Sequence, residues 1–312
     1  MRTKLIAVAC AAVFVLPVSV MAVDNHRAYG HLHLSVDKLD DSGYVISGDS
    51  SKGSRIGMKG SMDTNVSDFK AVYKIEAGMI LEDGDSPAGF TEQRDTWVGM
   101  SSKSFGTFRL GTIGTPYKAS GKLIDPLYET SAEARGVVKT MSAHHRGTGD
   151  DKGRSTNTVR FDSASLGGVK AVGHYNFAPG DNNMGLGLHY KKDDVAFFID
   201  YLNSGATDKT AMKFGSKVKT GAASFAFQYE LDDDGSVAVV DGAGDQFFFA
   251  TTYEMDATAL TFTIGNNNKE TGYTLGTMHK LNKAAKVYLV YVNDGSGDFD
   301  TSLFTGGMMV SF

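Results

Sequence analysis

Polar and apolar residues alternate along most of this chain with a period of two. In Lys70–Ala77 one face carries Lys70, Lys74 and Glu76 and the other carries Ala71, Tyr73, Ile75 and Ala77. Successive side chains of an extended strand point to opposite sides, so this is strand patterning and not the 3.6-residue repeat of a helix. About 16 runs of this kind can be marked, at 26–37, 51–62, 68–79, 92–101, 106–113, 155–162, 168–178, 184–190, 194–203, 210–218, 221–231, 244–254, 257–266, 270–281, 284–293 and 302–312. Helix-period apolar stripes are hard to find after Ala22. In Lys286–Val292 the aromatic and aliphatic residues fall on both faces. That strand is expected either at a subunit contact or against a plug.

The connections sort by parity. The gaps at 38–50, 80–91, 114–154, 232–243 and 294–301 are long, and those at 63–67, 102–105, 163–167, 219–220 and 282–283 are short. A transmembrane barrel has long outer loops and tight periplasmic turns. A soluble β-sandwich or propeller has no reason to sort its loops this way. The pattern therefore predicts an all-β fold, a transmembrane antiparallel β-barrel of about 16 strands, with both termini on the tight-turn side. An even strand number is what single-chain bacterial barrels require.

The chain ends place such a barrel in a compartment. Arg2 and Lys4 precede the unbroken apolar run Leu5–Leu16, Pro17 breaks it, and Val20 and Ala22 supply the small residues read by a signal peptidase. This predicts a signal peptide over 1–22 and a single domain over 23–312. A spanning helix needs roughly 20 apolar residues, more than this run holds. Cys10 is the single cysteine, and it precedes most of the apolar run, which excludes a lipoprotein site. The mature chain thus enters an oxidising compartment with no disulfide framework. At the other end, Met308-Met309-Val310-Ser311-Phe312 closes an alternating strand with an aromatic residue, the ending expected of a chain handed to outer-membrane assembly.

Composition is consistent with this. The chain has 31 basic and 36 acidic residues, net −5, and without Arg2 and Lys4 the balance is 29 to 36, net −7. Mild acidity argues against a nucleic-acid partner, which would need a basic face. A mean hydropathy of −0.19 resembles that of a soluble protein, but a barrel shows the same value because only every second strand residue faces lipid. With 37 Gly, 19 Phe and 13 Tyr against 5 Pro, strand and turn formers dominate.

An ordered set of motifs resembles a known family. Ser54-Arg55-Ile56-Gly57-Met58-Lys59-Gly60 is similar to the second-strand motif of Gram-negative porins of the neisserial and β-proteobacterial type. The first strand opens with Ala28-Tyr29-Gly30, and Phe69–Glu76 resembles the third strand. Arg94 with Trp97-Val98-Gly99-Met100 resembles the fourth, Phe105–Gly111 the fifth and Asn157–Ser163 the sixth. Tyr273 with Leu281-Asn282-Lys283 resembles the stretch before the penultimate strand. Three features depart from the family. Thr112 stands where Arg is usual, Ala164 stands where Pro is usual, and the Pro-Glu-Phe-Gly-Gly of enterobacterial porins is absent. The resemblance implies a general diffusion porin, a homotrimer in outer-membrane lipid and lipopolysaccharide. It would pass small hydrophilic solutes and ions without a cofactor and without catalysis, with the long third loop folded into the lumen.

By parity, Arg55 and Lys59 lie opposite Ile56 and Met58, Arg109 lies opposite Phe108 and Leu110, and Arg160 lies opposite Val159 and Phe161. With Arg94 they are the expected pore-lining basic residues, since an arginine facing lipid costs about 2–4 kcal/mol at the midplane. In the third loop, Asp125, Glu129 and Glu133 are spaced by four, a spacing that shares one face of a helical turn. They are expected to face the arginines across the constriction and to set a weak charge selectivity with them. The arginines favour anions, and the loss of a positive charge at Thr112 weakens that preference. His31 and His33 alternate on the inner face of the first strand, where they could tune conductance with pH.

Other chemistry finds little support. His144-His145 has no third ligand at a recognisable spacing, so no metal site is expected. Asp181-Asn182-Asn183 and Asp232-Asp233-Asp234-Gly235 are fragments of a calcium loop without its closing Glu. They are expected at outer-loop tips, where acidic groups could bind divalent ions or bridge lipopolysaccharide. The chain has no G-x-S-x-G and no H-E-x-x-H, and no Ser/His spacing argues a nucleophile with its base. Alternatives to a general pore are a substrate-specific porin for small organic or inorganic anions, a barrel adhesin, and a soluble secreted β protein.

Overall fold

The computed structural model describes residues 25–312 except 40–42, 49–52, 82–89, 135–152, 178–181, 205–208, 233–244, 267–270, 294 and 296–301. The expected signal peptide 1–22, His144-His145, Asp181 and Asp233-Asp234-Gly235 lie outside the described residues. The strands are β1 (Asn25–Leu39), β2 (Tyr44–Ser47), β3 (Arg55–Asp63), β4 (Lys70–Met79), β5 (Phe90–Gln93), β6 (Thr96–Ser102), β7 (Gly106–Gly114), β8 (Arg154–Ser163) and β9 (Val169–Asn176). They continue with β10 (Met184–Lys192), β11 (Val195–Ser204), β12 (Lys209–Thr220), β13 (Ala223–Asp232), β14 (Gln246–Met255), β15 (Thr258–Asn266), β16 (Thr271–Lys280), β17 (Ala285–Asn293) and β18 (Leu303–Ser311). One helix, α1 (Pro116–Ile124), lies between β7 and β8.

Neighbouring strands pair antiparallel in chain order, and β18 pairs back onto β1 from His31↔Ser311 to Leu39↔Leu303, which closes the sheet. β2 and β3 both pair with β1, and β5 and β6 both pair with β4. Each of these pairs is one interrupted stave, so the 18 segments make a barrel of 16 staves. The staves correspond one to one with the alternating runs. The short segment β2 falls inside the expected gap 38–50, and β5 straddles the end of the gap 80–91 and the start of the expected run 92–101. Tyr44-Val45-Ile46 is a contiguous apolar triplet without a period of two, and β5 breaks off at Arg94, whose side chain turns in to Glu76.

Connections of two to six residues at 64–69, 103–105, 164–168, 193–194, 221–222, 256–257 and 281–284 all lie on one side. Asn25 and Phe312 lie there too.

The sheet is inside out relative to a soluble protein. Large apolar side chains face outward and are exposed, among them Leu186, Leu188, Phe197, Ile199, Phe225, Leu260, Leu275 and Leu289. Their alternation partners are buried and polar, among them Asp200, Lys213, Gln228, Glu230, Thr263 and Thr274. An exposed apolar belt of this extent needs a nonaqueous neighbour, and an inward polar face needs water or ion pairs.

The segment 115–134 crosses the interior. Thr115 caps α1, its Oγ1 accepting from Lys118 N at 3.1 Å, and Pro116 takes the first turn, where a missing N–H costs nothing. Tyr117 packs with Leu202 and Ala211, and Ile124 packs with Phe198, Ala226 and Phe248. Leu127 and Ala132 pack with Tyr288, Val290, Val292, Leu303 and Met309. The two-faced apolar character of β17 is thereby explained: its inner face holds the plugging loop while Leu289 points outward.

The seam is finished by Phe312, whose backbone exchanges hydrogen bonds with Gly30 at 2.9 and 3.1 Å. The Phe312 ring lies where a Cβ on Gly30 would sit. Gly30→Val should therefore dislodge this ring and destabilise the closed barrel by about 1–3 kcal/mol. A lower temperature for the heat-dependent gel-mobility shift of the folded protein would show it.

Candidate functional site

The loop does not fill the barrel. Between α1 and the wall formed by β3 to β8 it leaves a cavity of about 480 Å³. Nine basic side chains line it: Arg55, Lys59, Lys74, Arg94, Arg109, Lys118, Lys122, Arg154 and Arg160. Three carboxylates face them, Glu76, Asp95 and Glu129. The four basic residues placed inward by parity and Arg94 are all in this set.

The wall is held by shared carboxylates. Glu76 accepts Arg94 Nε at 2.9 Å and Lys74 Nζ at 3.1 Å, and lies 3.6 Å from Arg55 Nε. Tyr29 donates to the same carboxylate at 2.6 Å. Asp95 takes Lys74 at 3.0 Å and Arg154 at 2.8 Å. Asp162, on β8, draws Arg109 and Arg160 together, with Arg160 Nη2 at 2.7 Å. Arg160 also donates to the Gly114 carbonyl, at the start of the loop. Lys74–Glu76 and Arg160–Asp162 lie within one strand, but Arg55–Glu76, Arg94–Glu76, Lys74–Asp95 and Arg109–Asp162 run between adjacent staves, so the pairing register decides them. The polar face of β4 was visible in sequence, but its partners were not.

Lys59 and Lys122 are arranged differently. Their ammonium groups lie 5.1 Å over the Tyr29 ring and 4.7 Å over the Tyr128 ring, and neither has a carboxylate within 4.0 Å among the described residues. Lys118 and Lys122 come from α1, a helix not expected from sequence, although Thr115-Pro116 carries its start signal.

The acidic loop residues do not share a helical face. The helix ends at Ile124, and Asp125 stands at its C-cap, where its carboxylate accepts Leu127 N at 2.9 Å and Ala134 N at 3.0 Å. A carboxylate that bonds backbone two residues on builds a turn instead of continuing a helix. Glu133 accepts Glu129 N at 3.0 Å. Glu129 meets an arginine of the wall, its Oε1 lying 2.8 Å from Arg55 Nη1. It does so from a left-handed backbone, φ +67°, a conformation that costs a non-glycine residue about 1–2 kcal/mol. Burial pushes the Glu129 carboxyl up, but Arg55, then Lys122 and His31, pull it further down, below its ordinary value. His31 Nε2 lies 3.7 Å from Glu129, whereas His33 is fully buried against the Tyr288 hydroxyl at 2.7 Å.

A closed barrel with an apolar exterior, an infolded third loop and a cation-lined gap is a channel, and a sequence-family model described as Gram-negative porin matches residues 7–298. The chain belongs to the Gram-negative porin family. As a porin it lies in the outer membrane and forms a diffusion channel for small solutes.

Solved structures agree on the fold. OmpTdeltaL8, a loop L8 deletion mutant of OmpT, an outer membrane protein of Vibrio cholerae, superposes with TM-score 0.70 at 18% identity, covering 92% of this chain and 99% of that one. An anion-selective porin from Comamonas acidovorans gives 0.69 at 16%, covering 92% and 99%. Salmonella typhi OmpF gives 0.71 at 14%, covering 92% and 97%. No curated protein sequence matches the chain.

Two expectations follow for this porin. Glu76→Gln leaves three cations around a neutral amide and should cost about 3 kcal/mol of stability, read by urea unfolding in detergent. The folded pKa of Glu129 is depressed, so its contribution is fully present above the free-glutamate value of about 4.3 and is lost as pH falls through the lower folded value. Conductance should stay flat from about pH 7 to about pH 5 and change only below about pH 4. A step near pH 6 would mean that another group governs the gap.

Proposed function

We propose that this porin is a passive, anion-preferring, non-catalytic channel, exported by the signal peptide 1–22 and assembled as a homotrimer. The observation that carries the preference is the imbalance in the gap. Nine basic side chains line it against Glu76, Asp95 and Glu129, and Asp162 stands behind Arg109 and Arg160. Among the described residues, five positive charges are left over. In a narrow aqueous path with low-dielectric walls such an excess concentrates anions and repels cations, whatever the net charge of the whole chain.

The roles divide within the set. Arg55, Arg94, Arg109 and Arg160, tied to wall and loop carboxylates, supply a fixed positive field. Lys59 on the wall and Lys122 on α1 hold charge on flexible stems with no carboxylate within 4.0 Å among the described residues, and they are the groups a passing anion meets. Among the loop acids, Glu129 is the residue we assign to the transverse field across the gap. Asp125 and Glu133 serve the loop's own turns. A substrate-specific porin for small anions is the second reading, favoured by those two lysines.

Reversal potential of the purified protein in a planar bilayer under a potassium chloride gradient is the test. Chloride should be preferred, and openings in groups of three would report the trimer. Replacing Lys59 and Lys122 together by Glu changes the gap by four charges and should bring the preference to neutral or cationic. An unchanged reversal potential in that double variant would return the selectivity to the arginines, and a cation preference in the unaltered protein would refute the proposal.

A further inference from the structure

Passage of inorganic ions needs charge and water, but the gap also presents aromatic rings, each with a cation set against it. Lys122 and Lys59 stand over Tyr128 and Tyr29, and the Arg109 guanidinium lies 5.2 Å from the centre of the Trp97 ring. Trp97 is the single tryptophan of the chain. It faces the lumen on β6, while Val98 beside it points outward. A second cavity of about 500 Å³ lies next to the first and shares Lys59, Lys74 and Trp97 with it. The two cavities thus meet at an aromatic wall flanked by an ammonium that has no carboxylate partner among the described residues.

A ring face in water binds little by itself, and a cation in water holds a simple anion weakly. Side by side they match a ligand that carries both a flat apolar body and a negative end. The volumes lie within the range of small-molecule sites, about 300–1,000 Å³. Resting on the anion-channel reading above, we propose that this junction is a binding subsite for aromatic carboxylates. The ligand ring stacks against Trp97, and its carboxylate is held by Lys59 before passing to Lys122.

Trp97 makes the subsite observable, because all tryptophan fluorescence of the chain comes from it. The folded protein would be titrated at constant ionic strength with benzoate, and with cyclohexanecarboxylate, which has the same charge and similar size but no π face. The readouts are Trp97 fluorescence and block of single-channel chloride current. Benzoate should saturate both with a midpoint about fivefold or more below that of cyclohexanecarboxylate, the ratio that one added aromatic contact supplies. Trp97→Leu should bring the two block midpoints together. Equal midpoints in an anion-preferring channel would overturn the aromatic subsite and leave the channel reading standing. A cation preference in plain potassium chloride would remove both.

Discussion

Closure of β18 onto β1 is the condition on which everything else rests. In hydrocarbon no water is present to satisfy a strand edge, so each backbone N–H and C=O must find a partner within the sheet. The register from His31↔Ser311 to Leu39↔Leu303 removes the last edge, and the Gly30–Phe312 exchange carries the pairing through the final residue. Once the sheet is closed, period-two alternation assigns every outward position to lipid and every inward one to a confined polar space. Asp200, Lys213 and Glu230 become tolerable inside for the same reason that Leu275 and Leu289 become tolerable outside.

Within that space, shared acids decide what the cations can do. Five guanidinium and ammonium groups crowded on the wall repel one another, and a carboxylate placed between them turns repulsion into a fixed lattice. Glu76 serves Arg55, Lys74 and Arg94, and Asp162 serves Arg109 and Arg160. Because one acid holds two or three bases, the lattice is rigid and still positive. A one-to-one arrangement would have held the side chains equally well and left no field.

Much of this was legible in the residues. Alternation marked 16 runs, and parity placed Arg55, Lys59, Arg109 and Arg160 inward, because both depend only on the strand period. The positive role of Lys74 and the partnership of Glu76 with Arg94 depend on which strand residues stand opposite each other, and no local pattern carries that information. The loop misled in another way. A spacing of four in Asp125, Glu129 and Glu133 imitates a helix face, yet Asp125 stops the helix by bonding the backbone beyond it. The true start lay ten residues earlier, in Thr115-Pro116, and went unread because the segment as a whole looked irregular. The apolar inner face of β17 was the one external sign of where the loop would dock.

The barrel wall is divided between two tasks. The loop is anchored through Leu202, Ala211, Phe198, Ala226 and Phe248 on β11 to β14, and through Val290 and Leu303 on β17 and β18. The ions are read by β3 to β8, where the wall cations stand. Mutational drift on the reading half can therefore shift preference between solutes without loosening the anchor, and drift on the anchoring half can be repaired by ordinary core repacking without touching the charges. A scaffold partitioned in this way can change its diet by single substitutions and remain folded throughout, which is a property of its lineage as much as of the molecule.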